Sequence, residues 1–229
     1  MAASQIKLEG TTQTLLAVRD VQLECVLHRN AYAGKLAVIV LHPYSWLGGC
    51  MRDHVTTTLF RSFAETEVYN TVLMYNSRGV GKSSGRASVY GSQKEVEDLK
   101  ALCQLLMSNL THPPEKVLLV GYSHGSCVAS GAACESYIAG VMAVSPPVGD
   151  FASTMLGTKQ LWKTFCASSA PKFVALGTAD TFCSVKALNK KVAMSQAHVD
   201  VKIYETADHF WLRQLENMRD NVLQWAINV

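Results

Sequence analysis

A serine between two glycines constrains this chain more than any other feature of its sequence. The pentapeptide Gly121-Tyr122-Ser123-His124-Gly125 follows the apolar run 116–120 and precedes small residues that are compatible with a helix. A serine on a sharp strand-to-helix turn has a strained backbone and an exposed hydroxyl, and its glycine neighbours avoid collisions with the adjoining elements. The pattern predicts that Ser123 is a nucleophile on such a turn. The alternative is a plain glycine-rich turn, because G-x-S-x-G also occurs by chance.

Strand and helix patterns alternate along most of the chain. A β-hairpin is predicted within residues 12–28, and a capping box, Ser92-Gln-Lys-Glu95, indicates the start of a helix. Alternation of this kind predicts an α/β fold, a three-layer α/β/α sandwich with a mostly parallel, twisted sheet of about eight strands. The six strands predicted after the hairpin are 36–41, 68–75, 116–120, 137–144, 172–176 and 199–205.

Composition and domain organisation narrow the possible functions. The chain has 229 residues without repeats or linkers, which predicts a single domain over 1–229 with a short cap segment within 145–171. A net charge of +3 is too small to indicate binding to nucleic acid or to an anionic membrane. No run is long enough to span a bilayer, and residues 1–9 lack the features of a signal peptide. We therefore expect a cytoplasmic protein. Its seven scattered cysteines predict neither a disulfide framework nor a metal site.

An activated serine needs a base, and that base needs a group to orient it. Asp180 follows the predicted strand 172–176 and His209 follows the predicted strand 199–205, so both should reach the sheet edge where Ser123 lies. The order Ser, Asp, His along the chain is typical of α/β-hydrolases. Alternatively, Asp180 and His209 are helix-capping residues. Asp150, in the loop after the strand 137–144, is the rival acid.

A tetrahedral oxyanion needs two backbone donors. We expect one to be the N–H of His124, the residue after the nucleophile. The other should come from the loop after strand 36–41, where Pro43 has no N–H, so Tyr44 is the better candidate. The alternative is that this segment only connects two elements and that other groups donate.

Residues 76–83 nearly match the phosphate-binding pattern G-x-x-x-x-G-K-S. However, Asn76 stands where the first glycine must be, and the residues that follow do not continue as a helix whose N-terminus could face a phosphate. Nucleotide binding is therefore disfavoured, and Arg78 is predicted to shape a turn and to pair with Asp98.

Taken together, these motifs resemble those of the α/β-hydrolase superfamily over about residues 36–229, and most closely the small, nearly lidless enzymes related to dienelactone hydrolases. The matching motifs are His42-Pro43, Gly48-Gly49, the segment 76–85 and Gly121 to Gly125. Dienelactone hydrolases carry a cysteine nucleophile, whereas residue 123 is serine, so lactone specificity is not carried over. The resemblance implies a serine hydrolase of small ester, thioester or related acyl bonds, with no cofactor. The alternative is a non-catalytic scaffold that binds a small molecule or a protein.

Two tryptophans are candidates for substrate binding. Trp46 is expected to add to an aromatic rim beside Tyr44, and Trp162 to an apolar wall formed by one short helix within 145–171. This stretch is too short to enclose an acyl tunnel. We therefore expect short acyl groups to be preferred.

Overall fold

The described part of the chain forms one eight-stranded β-sheet with helices on both faces. The computed structural model describes residues 10–30, 34–66, 68–108 and 112–229. The prediction that no signal peptide is present rests on residues 1–9, which lie outside this part. The strands are β1 Thr11–Val18, β2 Val21–Arg29, β3 Leu36–Leu41, β4 Thr71–Tyr75, β5 Lys116–Tyr122, β6 Ile138–Val144, β7 Lys172–Gly177 and β8 Asp200–Tyr204. The predicted α/β fold is confirmed.

The strand order β1-β2-β4-β3-β5-β6-β7-β8 places the hairpin at one edge of the sheet. β1 pairs with β2 and β2 with β4 in antiparallel fashion, and all other pairs are parallel. The central strands are buried on both faces, as their continuous apolar runs predict. Because the parallel strands run the same way, the loops after β3, β5, β7 and β8 meet at one edge of the sheet.

Two apolar cores lie on opposite faces of the sheet. In β5, Val117 and Leu119 point into one core, while Leu118, Val120 and Tyr122 point into the other. The first core is covered by α2, α3, α5 and α6, and the second by α1 and α7. The helices are α1 His54–Glu65, α2 Gln93–Ser108, α3 His124–Gly131, α4 Asp150–Leu156, α5 Lys159–Ala167, α6 Val185–Val192 and α7 Leu215–Ala226.

α2 begins at Gln93, where the predicted capping box placed a helix start, but two local details were predicted wrongly. Ser92 and Glu95 do not form a capping box: Ser92 has a φ of 52°, its hydroxyl contacts the His124 ring, and Glu95 accepts a hydrogen bond from the Ser88 N–H. The cap segment 145–171 holds two helices, α4 and α5, instead of one. At Ser92, the contact with His124, which is 32 residues away in the sequence, replaces the expected cap.

The loop 76–85 is a structural turn. Lys82 and Ser83 are followed by non-helical residues until α2 begins, so no helix N-terminus is available to face a phosphate. Arg78 forms a buried ion pair with Asp98, with nitrogen–oxygen distances of 2.7 and 2.8 Å, as predicted, and a further pair with Asp20 at 3.1 Å. The Asp98 carboxylate raises the pKa of Arg78. This pair fastens the loop to α2.

No helix among the described residues has both the length and the apolar character that a membrane crossing requires.

Candidate active site

Ser123 lies at the tight turn between β5 and α3. Its backbone adopts φ 51° and ψ −124°, a conformation that non-glycine residues rarely take. The flanking glycines are sterically required. A Cβ at Gly121 would lie 2.4 Å from the carbonyl oxygen of Gly125, and a Cβ at Gly125 would lie 2.5 Å from that of Leu41. The sequence therefore folds here into the turn that aims the Ser123 hydroxyl away from the sheet.

Ser123, His209 and Asp180 form a series of side chains, each within hydrogen-bond distance of the next. The Ser123 Oγ is 2.9 Å from His209 Nε2, and His209 Nδ1 is 2.8 Å from Asp180 Oδ2. The other carboxylate oxygen of Asp180 accepts hydrogen bonds from the backbone N–H groups of Phe182 and Cys183, at 2.8 and 3.1 Å. These contacts fix the carboxylate, and the carboxylate fixes the imidazole with Nε2 toward the serine.

The rival acid, Asp150, lies elsewhere. It is exposed at the start of α4 and pairs with Lys191 at 2.8 Å, and this lysine lowers the pKa of the Asp150 carboxyl. The only carboxylate hydrogen-bonded to His209 within the described residues is that of Asp180.

Tyr44 and His124 are adjacent in space. Their ring centroids are 4.9 Å apart, and both residues line the space in front of Ser123. The N–H of His124 is the first of α3, so no carbonyl within the helix can accept from it. The Tyr44 N–H donates to no acceptor within the described part of the chain. Tyr44 is held by its hydroxyl, which donates to the Val89 carbonyl at 2.8 Å.

Two buried histidines near Ser123, His42 and His124, stay neutral. Burial lowers the pKa of His42 to about 4 and that of His124 to about 3. His42 Nδ1 donates to the Pro43 carbonyl at 2.6 Å, and its Nε2 accepts from the Ser77 N–H at 3.0 Å. His124 Nε2 lies 2.7 Å from the Ser92 hydroxyl. Both imidazoles therefore connect the loop after β3 and the start of α3 to the surrounding chain.

The space in front of Ser123 is an open cleft of about 250 Å³. Apolar and aromatic side chains form most of its walls, and α4 supplies one of them. Within the described residues, no group of three or more His, Cys, Asp or Glu side chains is arranged to hold a metal ion. The cleft is lined by Pro43, Tyr44, Leu47, Gly48, Gly49, Asp53, Tyr122, Ser123, His124, Pro147, Met155, Leu156, Phe182, His209 and Phe210.

Trp46 and Trp162 do not line the cleft, which corrects the prediction that they contact substrate there. Trp162 is only 4% exposed and stacks on Phe165, with 4.3 Å between ring centroids. It packs into the core because α5 turns its apolar face toward the sheet. Trp46 is half exposed, and its indole N–H donates to the Ser88 carbonyl at 3.2 Å. This hydrogen bond ties the loop after β3, outside the cleft, to the segment around Ser88.

The sequence analysis found some of the cleft residues and missed others. Met155 and Leu156 belong to the apolar residues of the segment for which a wall was predicted, and they line the cleft, whereas Trp162, chosen from that segment as the substrate-binding residue, does not. Asp53 lies 70 positions before Ser123 and Phe182 lies 59 positions after it, and no local pattern links them to it. One signal could have pointed to Phe182. Residues 181–183 follow Asp180 directly, and residues that follow a strand at this edge of the sheet lie near Ser123.

Comparisons with known proteins agree with this architecture. The family model described as alpha/beta hydrolase domain matches residues 84–227. A search of the curated proteins finds no match. Among solved structures, an alpha-beta serine hydrolase homologue from Coxiella burnetii is 24% identical, covers 95% of this chain and 98% of its own, and superposes with a TM-score of 0.80.

Two further structures show the same fold. An a/b serine hydrolase without lid from Xanthomonas campestris is 22% identical, with 96% of both chains covered and a TM-score of 0.77. An esterase from Pyrococcus furiosus is 19% identical, with 95% of this chain and 91% of its own covered and a TM-score of 0.77. The family match extends over more than half of the chain, and the chain therefore belongs to the alpha/beta hydrolase family.

Proposed function

We propose that this protein is a serine hydrolase that cleaves small ester or thioester bonds through Ser123, His209 and Asp180. The observation that carries the proposal is the hydrogen-bonded series from Ser123 Oγ through His209 to Asp180, with distances of 2.9 and 2.8 Å, at the base of an apolar cleft. A series of this kind activates a hydroxyl that is otherwise a weak nucleophile. Membership of the hydrolase family and the esterase among the structural neighbours are consistent with it.

The reaction would proceed in two halves. In the first, Ser123 Oγ attacks the acyl carbon while His209 Nε2 takes its proton. The backbone N–H groups of Tyr44 and His124 stabilise the oxyanion. The bond to the leaving alcohol or thiol then breaks, His209 returns the proton to it, and an acyl-Ser123 intermediate remains. In the second half, His209 activates a water molecule that releases the acid.

A fluorophosphonate probe tests the proposal directly, since it phosphonylates only an activated serine. We expect stoichiometric labelling of the wild-type protein and none of Ser123→Ala. The control is Ser136→Ala, because Ser136 is exposed whereas Ser123 is only 8% exposed, so labelling governed by access alone would favour Ser136. Labelling that persists in Ser123→Ala would identify another nucleophile. A wild-type protein that is neither labelled nor active on 4-nitrophenyl butyrate would favour a binding scaffold.

A further inference from the structure

Asp53 gives the cleft its formal charge. Among the described residues that line the cleft, Asp53 is the only aspartate or glutamate, and no lysine or arginine occurs. The other polar groups there are neutral hydroxyls, backbone groups and the imidazoles of His124 and His209. A ligand that enters this cleft therefore meets one negatively charged side chain and, among the described lining residues, no lysine or arginine.

Hydrogen bonds fix the Asp53 side chain in place. It is the N-cap residue of α1, and its Oδ1 accepts from the N–H groups of Val55 and Thr56 at 2.9 and 3.3 Å. The side chain remains one-fifth exposed. No lysine or arginine in the described part of the chain forms an ion pair with it.

The imidazole of His54 lies beside the Asp53 carboxylate. Its Nδ1 lies 3.7 Å from Asp53 Oδ2, and its Nε2 donates to the Phe210 carbonyl at 2.7 Å. In a neutral imidazole whose Nε2 carries the proton, Nδ1 has none to donate. A neutral His54 with its proton on Nε2 therefore does not neutralise Asp53.

Asp53 is linked to the part of the cleft that holds His209. Its neighbour His54 is hydrogen-bonded to Phe210, which directly follows His209. In the proposed reaction His209 returns the proton to the leaving oxygen, so the leaving alcohol lies on the side of His209. Asp53 and His209 both line a cleft of only about 250 Å³, so a charged group on that alcohol would share this space with the Asp53 carboxylate.

Aromatic rings reinforce the preference for positive charge. Tyr44, Tyr122, Phe182 and Phe210 all line the cleft. The faces of aromatic rings attract cations, and quaternary ammonium groups are recognised by cages of aromatic rings. A cleft with low-dielectric walls also strengthens the field of a single charge.

We propose that Asp53 is a specificity-determining residue, and that the cleft favours short-chain esters whose alcohol carries a compact cationic group such as a quaternary ammonium. Neutral alcohols are accepted less well, and anionic alcohols are disfavoured. This inference rests on the proposed hydrolysis at Ser123.

Three butyrate esters that differ in the charge of a tetrahedral head group test the inference. The alcohols are choline, which is cationic, 3,3-dimethylbutanol, which is its neutral isostere, and 2-hydroxyethanesulfonate, which is anionic. Acid release is followed in a pH-stat at pH 8 and low salt, and kcat/KM is compared. For the wild type, we expect the choline ester to exceed the neutral ester by about 10-fold, and the neutral ester to exceed the anionic one by about 10-fold.

Asp53→Asn is the decisive variant because asparagine caps a helix about as well as aspartate. We expect both ratios to approach one in this variant, and both to shrink in the wild type at high salt. Asp150→Asn removes the same charge outside the cleft and should keep the wild-type ratios. A thermal melt of each variant confirms that it is folded.

The outcomes separate the two proposals. Hydrolysis of all three esters with ratios that Asp53→Asn does not change would overturn the role of Asp53 and leave the hydrolase proposal intact. A wild-type preference for the anionic ester would also overturn the role of Asp53 and leave the hydrolase proposal intact. If no ester is hydrolysed and no fluorophosphonate label is taken up, the hydrolase proposal fails, and the inference about Asp53 fails with it.

Discussion

Acidification should destabilise this protein through two buried histidines, His42 and His124. Burial lowers the pKa of His42 to about 4 and that of His124 to about 3, whereas an unfolded histidine titrates near ~6.5. As the pH falls below ~6.5, the unfolded chain therefore binds protons that the folded chain excludes. The stability due to the neutral rings is fully present above this pH and is lost progressively below it. Geometry adds to the effect for His42, since a proton on its Nε2 would face the Ser77 N–H.

The magnitude follows from linkage. Between about pH 6.5 and pH 5, each unit of pH costs about 1.4 kcal/mol for each such histidine, so each contributes a loss of about 2 kcal/mol at pH 5. Together the two residues should lower the free energy of unfolding by about 4 kcal/mol between pH 8 and pH 5. Aspartates with a lowered pKa, such as Asp150 and Asp200, add little in this window because unfolded aspartate is already ionised at pH 5.

Urea unfolding followed by tryptophan fluorescence at pH 8 and pH 5, at constant ionic strength, measures the effect. The quantity compared is the difference in the free energy of unfolding between pH 8 and pH 5. A loss of stability that the substitution causes equally at both pH values therefore cancels. His42→Gln and His124→Gln should each reduce this change by about 2 kcal/mol. His112→Gln, at an exposed histidine, is the matched control. A change that is equally large in the wild type and in both variants would refute the linkage to these residues.

Three further predictions follow from the site and the fold. His209→Ala and Asp180→Asn should each lower kcat for 4-nitrophenyl butyrate by about 10³-fold or more, because members of a triad act as a unit; a large effect of Asp150→Asn instead would reassign the acid. Across 4-nitrophenyl esters from acetate to palmitate, kcat/KM should peak at roughly two to six acyl carbons. A cleft of about 250 Å³ leaves little apolar surface against which additional methylene groups can be buried. A kcat/KM that keeps increasing to C12 would contradict this prediction. Arg78→Met should lower the free energy of unfolding by about 2–3 kcal/mol, because the buried Asp98 loses two charge-assisted hydrogen bonds and keeps only its pair with Arg19 at 3.2 Å; Arg219→Met, at a surface pair with Asp220, should cost at most about 1 kcal/mol.

Much of the fold and the placement of Ser123 could be predicted because both depend on local sequence. A strand buried on both faces gives a continuous apolar run, and a turn that excludes Cβ atoms requires glycine at fixed positions, as at Gly121 and Gly125. The convergence of Asp180 and His209 on Ser123 then follows from topology. In a parallel sheet, residues that directly follow strands share one edge.

The errors concern positions where local sequence allows two structures. Ser92 and Glu95 match a capping box, but the Ser92 hydroxyl contacts His124 and Glu95 binds the Ser88 N–H. Trp162 belongs to an apolar face that could cover either the cleft or the core, and the direction in which α5 packs decides between them. In sequence, Asp53 looks like an ordinary helix N-cap residue. Its place in the cleft cannot be predicted locally because it depends on how α1 packs beside His209.

The arrangement of the site explains how a small cleft can hold reacting groups in fixed positions. Beyond the last paired residue of three strands, the chain remains bonded to the next strand. The Ser123 N–H donates to Val144, the Ser145 N–H to Ala175 and the Thr178 N–H to Tyr204, at 2.8, 2.8 and 2.9 Å. The sheet therefore continues into the loops that carry Ser123 and Asp180. The loop of Tyr44 follows β3 directly and is tied at its tip to the Val89 carbonyl. Because loops anchored in this way need no further ordering when substrate binds, the rigidity of the sheet supplies the preorganisation that the proposed catalysis requires.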